Sequence, residues 1–358
     1  MNSTGPDTIY QQRIVTLSAE RTVAAALKNR IAWGRLAAII AAVLSYYFLK
    51  NVQPWLAVLT AIFFVALFFR LVVLAINAAQ KLNNLDRLIA ISRQEIEIAA
   101  GNYHHLPDGA PYLPALHPYA YDLDIFGRAS LFQFSNRTAS QQGSGILAGW
   151  LLHPANAEEI ILRQQAAKEL SPQVAWRQQL QSHGMANSIT TATQQKIQQS
   201  LQEDDGYFSK PFWKWIRWVG PAISSGILLL YIADLISTPQ FNLLLIFFFI
   251  VTGYISKKAT PAYHTLNKIS PEVATLSAVI QHIEDASFNS RWLQQVQQSF
   301  LQNGAKASAH VKTLNRILSR LDYRLNPVVF IPLNIFLFWD LQQMLLFEKW
   351  KRRQAWQR

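Results

Sequence analysis

The sequence predicts a mainly α protein whose helical soluble body is interrupted by two transmembrane helical hairpins. Three observations predict it. Hydrophobic residues make up 51% of the 358-residue chain and charged residues only 15%, well below the roughly 25% of an ordinary soluble domain. The apolar residues gather into paired, nearly uncharged stretches, each long enough for the roughly 20 residues that cross hydrocarbon. Outside them, apolar positions recur at helical spacing, and the sequence offers no alternating run long enough for a sheet.

In chain order, residues 1–32 read as an amphipathic cytoplasmic helix (Ile14, Leu17, Val23, Leu27) and 33–80 as the first hairpin. In that hairpin Ile31–Leu49 carries only Arg35, and Asn51–Phe69 carries no charge. The turn between them ends at Pro54, placed to open the second helix. Trp33, Tyr46, Tyr47 and Trp55 sit where interfacial anchors belong. A cleaved secretory signal is a poor fit, because the apolar stretch starts late and a partner follows it after a turn.

Residues 81–212 form the first soluble part. Leu82, Leu85, Leu88, Ile89 and Ile96 extend the helical period. Gly101–Tyr121, with Pro107, Pro111, Pro114 and Pro118, is a loop. Asn156 with Glu159 makes a capping box, and Ser171-Pro172 and Ser270-Pro271-Glu272 place a cap before a first-turn proline. The Gln-rich stretch 190–202 ends in the acidic Glu203-Asp204-Asp205-Gly206.

Residues 213–256 are the second hairpin, broken at Ser237-Thr238-Pro239 and holding Asp234 as the one charge in Trp218–Ser256. In 257–358, helices are expected over 272–302 and 305–323, joined at Asn303-Gly304. The uncharged run Pro327–Trp339, broken by Pro332, is short for a span. It reads as a helix buried in the soluble body or lying along the membrane.

With no cysteine in the chain, disulfides, zinc–thiolate sites and cysteine nucleophiles are excluded. The net charge of +12 suggests nucleic acid, but its position argues otherwise. Residues 81–212 hold ten basic against twelve acidic residues. The basic excess flanks the apolar segments: Lys28, Arg30 and Arg35; Arg70, Lys81 and Arg87; Lys210, Lys214 and Arg217; Lys257, Lys258 and Lys268. The positive-inside rule then predicts a multi-pass protein of the cytoplasmic (inner) membrane, with both termini and the bulk of the chain cytoplasmic. Membrane lipids are its expected partners. The terminal cluster Lys349, Lys351, Arg352, Arg353 and Arg358 reads as a solvated helix end, with nucleic acid as the alternative.

Chemistry-bearing motifs are sparse. Asp122-Leu-Asp124-Ile-Phe126-Gly127 starts like a calcium loop, but Phe126 and Gln133 stand where ligands are needed. His104, His105 and His117 lie in the Pro-rich loop without metal-ligand spacing, and Gly143-Ser144-Gly145 is not a nucleophile elbow. Asp234 is an intramembrane candidate, although its place one turn before the break favours the interface. The sequence contains no Gly-Lys dipeptide, so a phosphate loop is excluded from this chain. No catalytic, cofactor-binding or metal-ligating residue is assigned.

The run Asp122-Leu-Asp124-Ile-Phe126-Gly127-Arg-Ala-Ser-Leu131-Phe132-Gln-Phe-Ser-Asn136-Arg137-Thr138, continued by Gly143, Leu147, Trp150-Leu151, Pro154, Ile160 and Arg163-Gln164, resembles the lever (core) domain of the MutS mismatch-repair ATPases. The segment from Asn326-Pro327 to Glu348-Lys349-Trp350 is similar to the long core helix of membrane-anchored members. Physically, Leu131, Phe132 and Phe134 make an apolar patch, Thr138 is a cap candidate, and Gly143 permits a close helix approach.

The resemblance implies mismatch repair, with duplex DNA as ligand and a homodimer or an ATPase domain as partner. ATP and Mg would belong to that ATPase domain, which would follow the lever. The departures are as informative. The Phe-x-Glu mismatch wedge does not occur, and hairpins stand where the DNA-contacting regions would be. The expectation is a membrane-anchored MutS-like lever coupling its hairpins to an ATPase domain absent from this chain. The alternative is a non-enzymatic membrane scaffold.

Overall fold

A computed structural model describes residues 5–49, 51–192, 195, 207–208, 210–267, 269–302 and 305–355. The fold is mainly α. Its thirteen described α-helices are α1 (Pro6–Leu49), α2 (Pro54–Ala99), α3 (Leu131–Ser135), α4 (Gln141–Leu152), α5 (Ala157–Leu170), α6 (Val174–Gly184), α7 (Pro211–Ile232), α8 (Thr238–Asn267), α9 (Ser270–Glu284), α10 (Arg291–Ser299), α11 (Ala307–Leu321), α12 (Pro327–Leu337) and α13 (Trp339–Ala355). Two compact units share them. One comprises Met1–Arg137, Ser144–Pro154 and Gln173–Ala186, and the other Thr138–Gly143, Ala155–Pro172 and Asn187–Arg358. The segment 81–212 thus contributes to both.

The first unit is built on the antiparallel pair α1 and α2. Neither helix stops at the edge of its apolar stretch: they run 44 and 46 residues unbroken, about 66 Å and 69 Å at 1.5 Å per residue. Pro54 opens α2 at its first turn as predicted, after an extended Gln53. At the other end Gly101, with φ +85°, closes it. The Asn102 N–H donates to Glu97 O at 2.8 Å and the Gly101 N–H to Ile98 O at 3.0 Å. These are the two bonds of a Schellman cap.

The halves of this pair differ. Near the chain ends of the helices, Leu17, Ala24, Leu85, Leu88 and Ile89 form a buried cluster, each large side chain adding about 1.5–3 kcal/mol of burial. There α6 docks on α2 through side-chain amides. Gln178 donates to Ser92 Oγ at 3.0 Å, Ser182 to Asn84 Oδ1 at 2.8 Å, and Arg13 to Gln178 at 2.5 Å. Towards the Leu49–Pro54 turn the same helices expose Val43, Phe48, Ile62, Phe63 and Phe69, each more than half exposed.

Three helices are long and apolar enough to cross a membrane: Pro6–Leu49, Trp55–Ala99 and Thr238–Pro261. They become four if the pair Val329–Leu337 and Trp339–Arg352, bent by 74°, counts as one broken span. Among the described residues α7 is not one of them, although it forms the first arm of the expected second hairpin. Lys214, Arg217, Gly220-Pro221 and Ser224-Ser225 dilute its apolar character.

Local expectations fared unevenly. Asn156 caps α5, its Oδ1 accepting from the Glu159 N–H at 2.8 Å. Ser171 instead ends α5, and α6 starts after Gln173. Ser270 lies inside α9, whose cap position is Ile269. The expected helix 272–302 is two helices parted at Asp285–Ser290, because the Glu169 carboxylate accepts the Asn289 and Ser290 N–H groups, each at 2.7 Å, and so fixes a new helix start. Leu301–Gln302 and Ala305–Lys306 pair as a two-residue antiparallel ladder, where the sequence showed only a helix junction. Pro332 does not break α12, which runs to Leu337. The break is at Phe338, in the left-handed region with φ 49°. Most of the Gln-rich stretch, the acidic run 203–206, Asn303-Gly304 and Arg358 lie outside the described residues.

Candidate functional site

The residues picked out by the lever resemblance form a folding node in the first unit. Gly127 (φ 101°) and Asp124 (φ 45°) turn the chain. The Leu131 and Phe132 N–H groups then return to Asp124 O and Ile125 O, both at 3.0 Å. Phe126 and Phe132 are buried against each other, ring centroids 5.4 Å apart. Ser130 Oγ caps α3 by accepting from the Gln133 N–H. The buried Gln133 side chain accepts from Ala129 N–H and donates to His104 O and Leu106 O, which pins the Pro-rich loop.

Gly109 is left-handed (φ 72°), and a Cβ there would lie 2.5 Å from the Phe132 ring. Arg137 holds both carboxylate oxygens of Glu95, at 2.5 and 3.2 Å, and ties the node to α2. Leu131 and Trp150 are about half exposed, and Asn136 ends α3. His117 serves this same packing. Its Nε2 meets Leu152 O at 3.0 Å, and its Nδ1 accepts from Tyr119 and Ala120 N–H.

Thr138, Gly143 and Arg163 belong to the second unit. The α4 cap is not Thr138 but Ser140, whose Oγ accepts the Gly143 N–H at 3.1 Å. A Cβ on Gly143 would lie 3.2 Å from the Thr138 Cβ, so the small residue does serve a close approach. Arg163 pairs with Glu159 on its own helix and lies over the Trp292 ring at 5.7 Å.

The strongest concentration of polar chemistry is elsewhere, at the α12–α13 break of the second unit, and the sequence did not announce it. Asp340, in the first turn of α13, is completely buried. Arg324 clamps it with Nε at 2.9 Å and Nη2 at 2.7 Å, its own side chain only 9% exposed. Ser256 on α8 donates to the same carboxylate at 2.5 Å. Asn334 donates to Ser256 Oγ at 2.8 Å and accepts the Asp340 N–H at 3.2 Å. Arg324 Nη2 also donates to Ser256 O, and its guanidinium lies over Tyr263 at 5.1 Å.

Four segments thus meet on one carboxylate. Burying an ion pair is unfavourable unless its remaining donors and acceptors are filled, and here they are.

Helix α7 clasps the break from another side. Gly220 admits the Phe338 ring, which a Cβ would meet at 2.8 Å. Ser224 Oγ donates to Phe336 O at 2.9 Å, filling a carbonyl near the end of α12. Just outside the clamp, burial pushes the Asp322 carboxyl above its ordinary range, opposed by a hydrogen bond from Tyr263. Burial and Asp322 in turn push the Tyr263 phenol up.

The signal the sequence held was slight: an Arg before and an Asp after a thirteen-residue uncharged run, with Asn334 inside it. Asp234, the intramembrane candidate, is exposed in the α7–α8 turn at φ 56°. Chemically the clamp can hold a bent helix rigid while its partners stay docked.

A search of protein-family models, of curated proteins and of solved structures found no match to this chain.

Proposed function

We propose that this chain is a membrane-anchored coupling protein, in which helical hairpins held by lipid are continuous with a cytoplasmic helical body. One observation carries the reading: α1 and α2 pass without a break from an exposed apolar half to a half packed by Leu85, Leu88 and the α6 amides. A displacement at one end of such a helix pair is delivered to the other without a joint to absorb it. The resemblance over Asp122–Gln164 supports placing the coupling in a MutS-type lever, with duplex DNA as its ligand and ATP as the ligand of a partner ATPase domain.

Single-cysteine labelling tests the anchor, since the chain has no cysteine of its own. In sealed cells Gln53→Cys reacts with an impermeant maleimide, and Ser171→Cys reacts only after lysis. Release of the protein by alkaline carbonate, or the reverse labelling pattern, defeats the reading. The lever component is tested apart, by binding of the detergent-solubilised chain to mismatched and matched duplexes at moderate salt. Equal affinity would remove mismatch recognition and leave the coupler without it.

The scaffold reading is favoured by one feature. Leu116, Leu123 and Ile146 are 93%, 62% and 56% exposed on the first unit, outside the apolar hairpin.

A further inference from the structure

The second unit carries two lysines gathered around Tyr207. Lys210, at the cap position of α7, places Nζ 6.0 Å from the centre of the Tyr207 ring. Lys258, in the last turns of the apolar part of α8, places Nζ 5.5 Å from the same ring. The Tyr207 hydroxyl donates to the Tyr254 hydroxyl at 3.4 Å. Two ammonium groups, from the start of α7 and from α8, therefore lie within 6.0 Å of the centre of one ring whose hydroxyl is paired with a second phenol.

Among the described residues neither lysine makes an ion pair, and both are exposed. Lys257 and Lys214 add further positive charge nearby in sequence. Phe212, Trp215 and Trp218 are 63%, 74% and 71% exposed on α7, while the buried Trp213 packs on Tyr207 with ring centroids 5.4 Å apart. An ammonium pair that makes no ion pair among the described residues, set beside hydroxyl donors, matches a phosphate with its several acceptor oxygens. Lys258 lies near the end of the apolar stretch Thr238–Pro261, which sets that phosphate at a water–hydrocarbon boundary.

We propose that Lys210, Lys258 and the Tyr207–Tyr254 hydroxyl pair bind the phosphate of an anionic phospholipid headgroup. The proposal rests on the membrane-anchored reading above. It assigns to that reading a lipid of defined charge and a place on the protein.

The test uses the full chain in nanodiscs of phosphatidylcholine with and without phosphatidylglycerol, and counts retained phosphatidylglycerol by native mass spectrometry after detergent extraction. Each lysine near an anionic surface is worth about 1 kcal/mol, or about fivefold in retention. Lys210→Gln/Lys258→Gln should therefore lower retention by more than tenfold, whereas the charge-matched Lys168→Gln/Lys312→Gln should leave it unchanged. Equal losses in the two double variants would reduce the effect to net charge and overturn the site. Release of bound lipid by millimolar inorganic phosphate, with no preference between the two lipids, would assign the cluster to the free ion and overturn the lipid source. Failure of the chain to enter nanodiscs at all would instead defeat the anchored reading.

Discussion

The two apolar regions of this protein have similar composition and opposite construction. The α1–α2 arms are regular helices whose outer halves expose Val43, Phe48, Ile62 and Phe63, with every backbone bond made inside its own helix. The α7, α8, α12 and α13 region contains Pro221, Pro261 and Pro332 inside helices and a left-handed break at Phe338. It buries Ser224, Thr252, Asn334 and Asp340. A regular helix needs only apolar surroundings, because its N–H and C=O groups are already satisfied. A broken one must fill its freed groups with side chains, so polar residues specify its shape. The first region is long and apolar enough to cross a membrane without side-chain help, and the second holds a particular bend.

The sharpest way to break the contrast is to leave half of the buried ion pair. Asp340→Leu should cost about 3–5 kcal/mol, because it strands the Arg324 guanidinium in a site closed to water. Adding Arg324→Met to it should restore part of that loss. Thermal unfolding of the detergent-solubilised chain measures both. Additive losses would mean that the two groups do not act as a pair.

In the first region the corresponding change acts through lipid alone. Ile62→Lys, at a position 59% exposed, should raise the cost of insertion by about 3 kcal/mol while leaving the helical circular dichroism of the detergent-solubilised chain unchanged. A loss of helix in detergent would show that this arm is packed against protein.

Glycines extend the comparison at a smaller scale. Gly220→Val drives a side chain into the Phe338 ring and should cost about 2–3 kcal/mol by overpacking. Gly149, in the middle of α4, has open space where its Cβ would be. Gly149→Ala should therefore add roughly 0.5–1 kcal/mol from helix propensity alone. A neutral Gly220→Val would show that α7 does not close on the break.

How much of this was readable in advance follows from the range of each interaction. The Pro54 start, the Asn156 cap and the apolar arms depend on neighbours within a few residues, and the sequence displays them. The mainly α class follows from the same local signals. The clamp could not be read, because Arg324, Asn334 and Asp340 meet Ser256, far away in the chain, and none of the four is unusual where it stands. The false continuity of 272–302 has the same origin: what fixes the second helix start is Glu169, 120 residues before Asn289. Thr138 and Ser140 both have the chemistry of a cap, and only the backbone selects Ser140. Of the lever-type residues, Phe132 and Gly143 have the packing roles their chemistry suggested, Leu131 and Phe134 of the expected apolar patch are each 47% exposed, and the pairing of Arg137 with Glu95 had no local sign.

An effect of similar size is that of pH on the α5–α10 contact. The Asn289 and Ser290 amides, with the Ser290 hydroxyl, stabilise the Glu169 carboxylate and hold its pKa below the ordinary value. The folded state therefore binds the proton less readily than the unfolded chain does. This contribution is complete above the unfolded carboxyl range of about 4.3 and fades as pH falls through the lower folded value. Asp322 behaves oppositely: burial raises its pKa, so its ionisation opposes folding above the normal range and acid relieves it. Hydrogen exchange separates the two, because Asn289 and Ser290 report on Glu169 alone. Their protection should fall on acidification after correction for the intrinsic exchange rate, and Glu169→Gln should lower it at neutral pH by about 1 kcal/mol, as loss of a helix cap does. Protection that stayed constant with pH and survived Glu169→Gln would mean that α10 starts at Arg291 through its packing on α5, without the carboxylate.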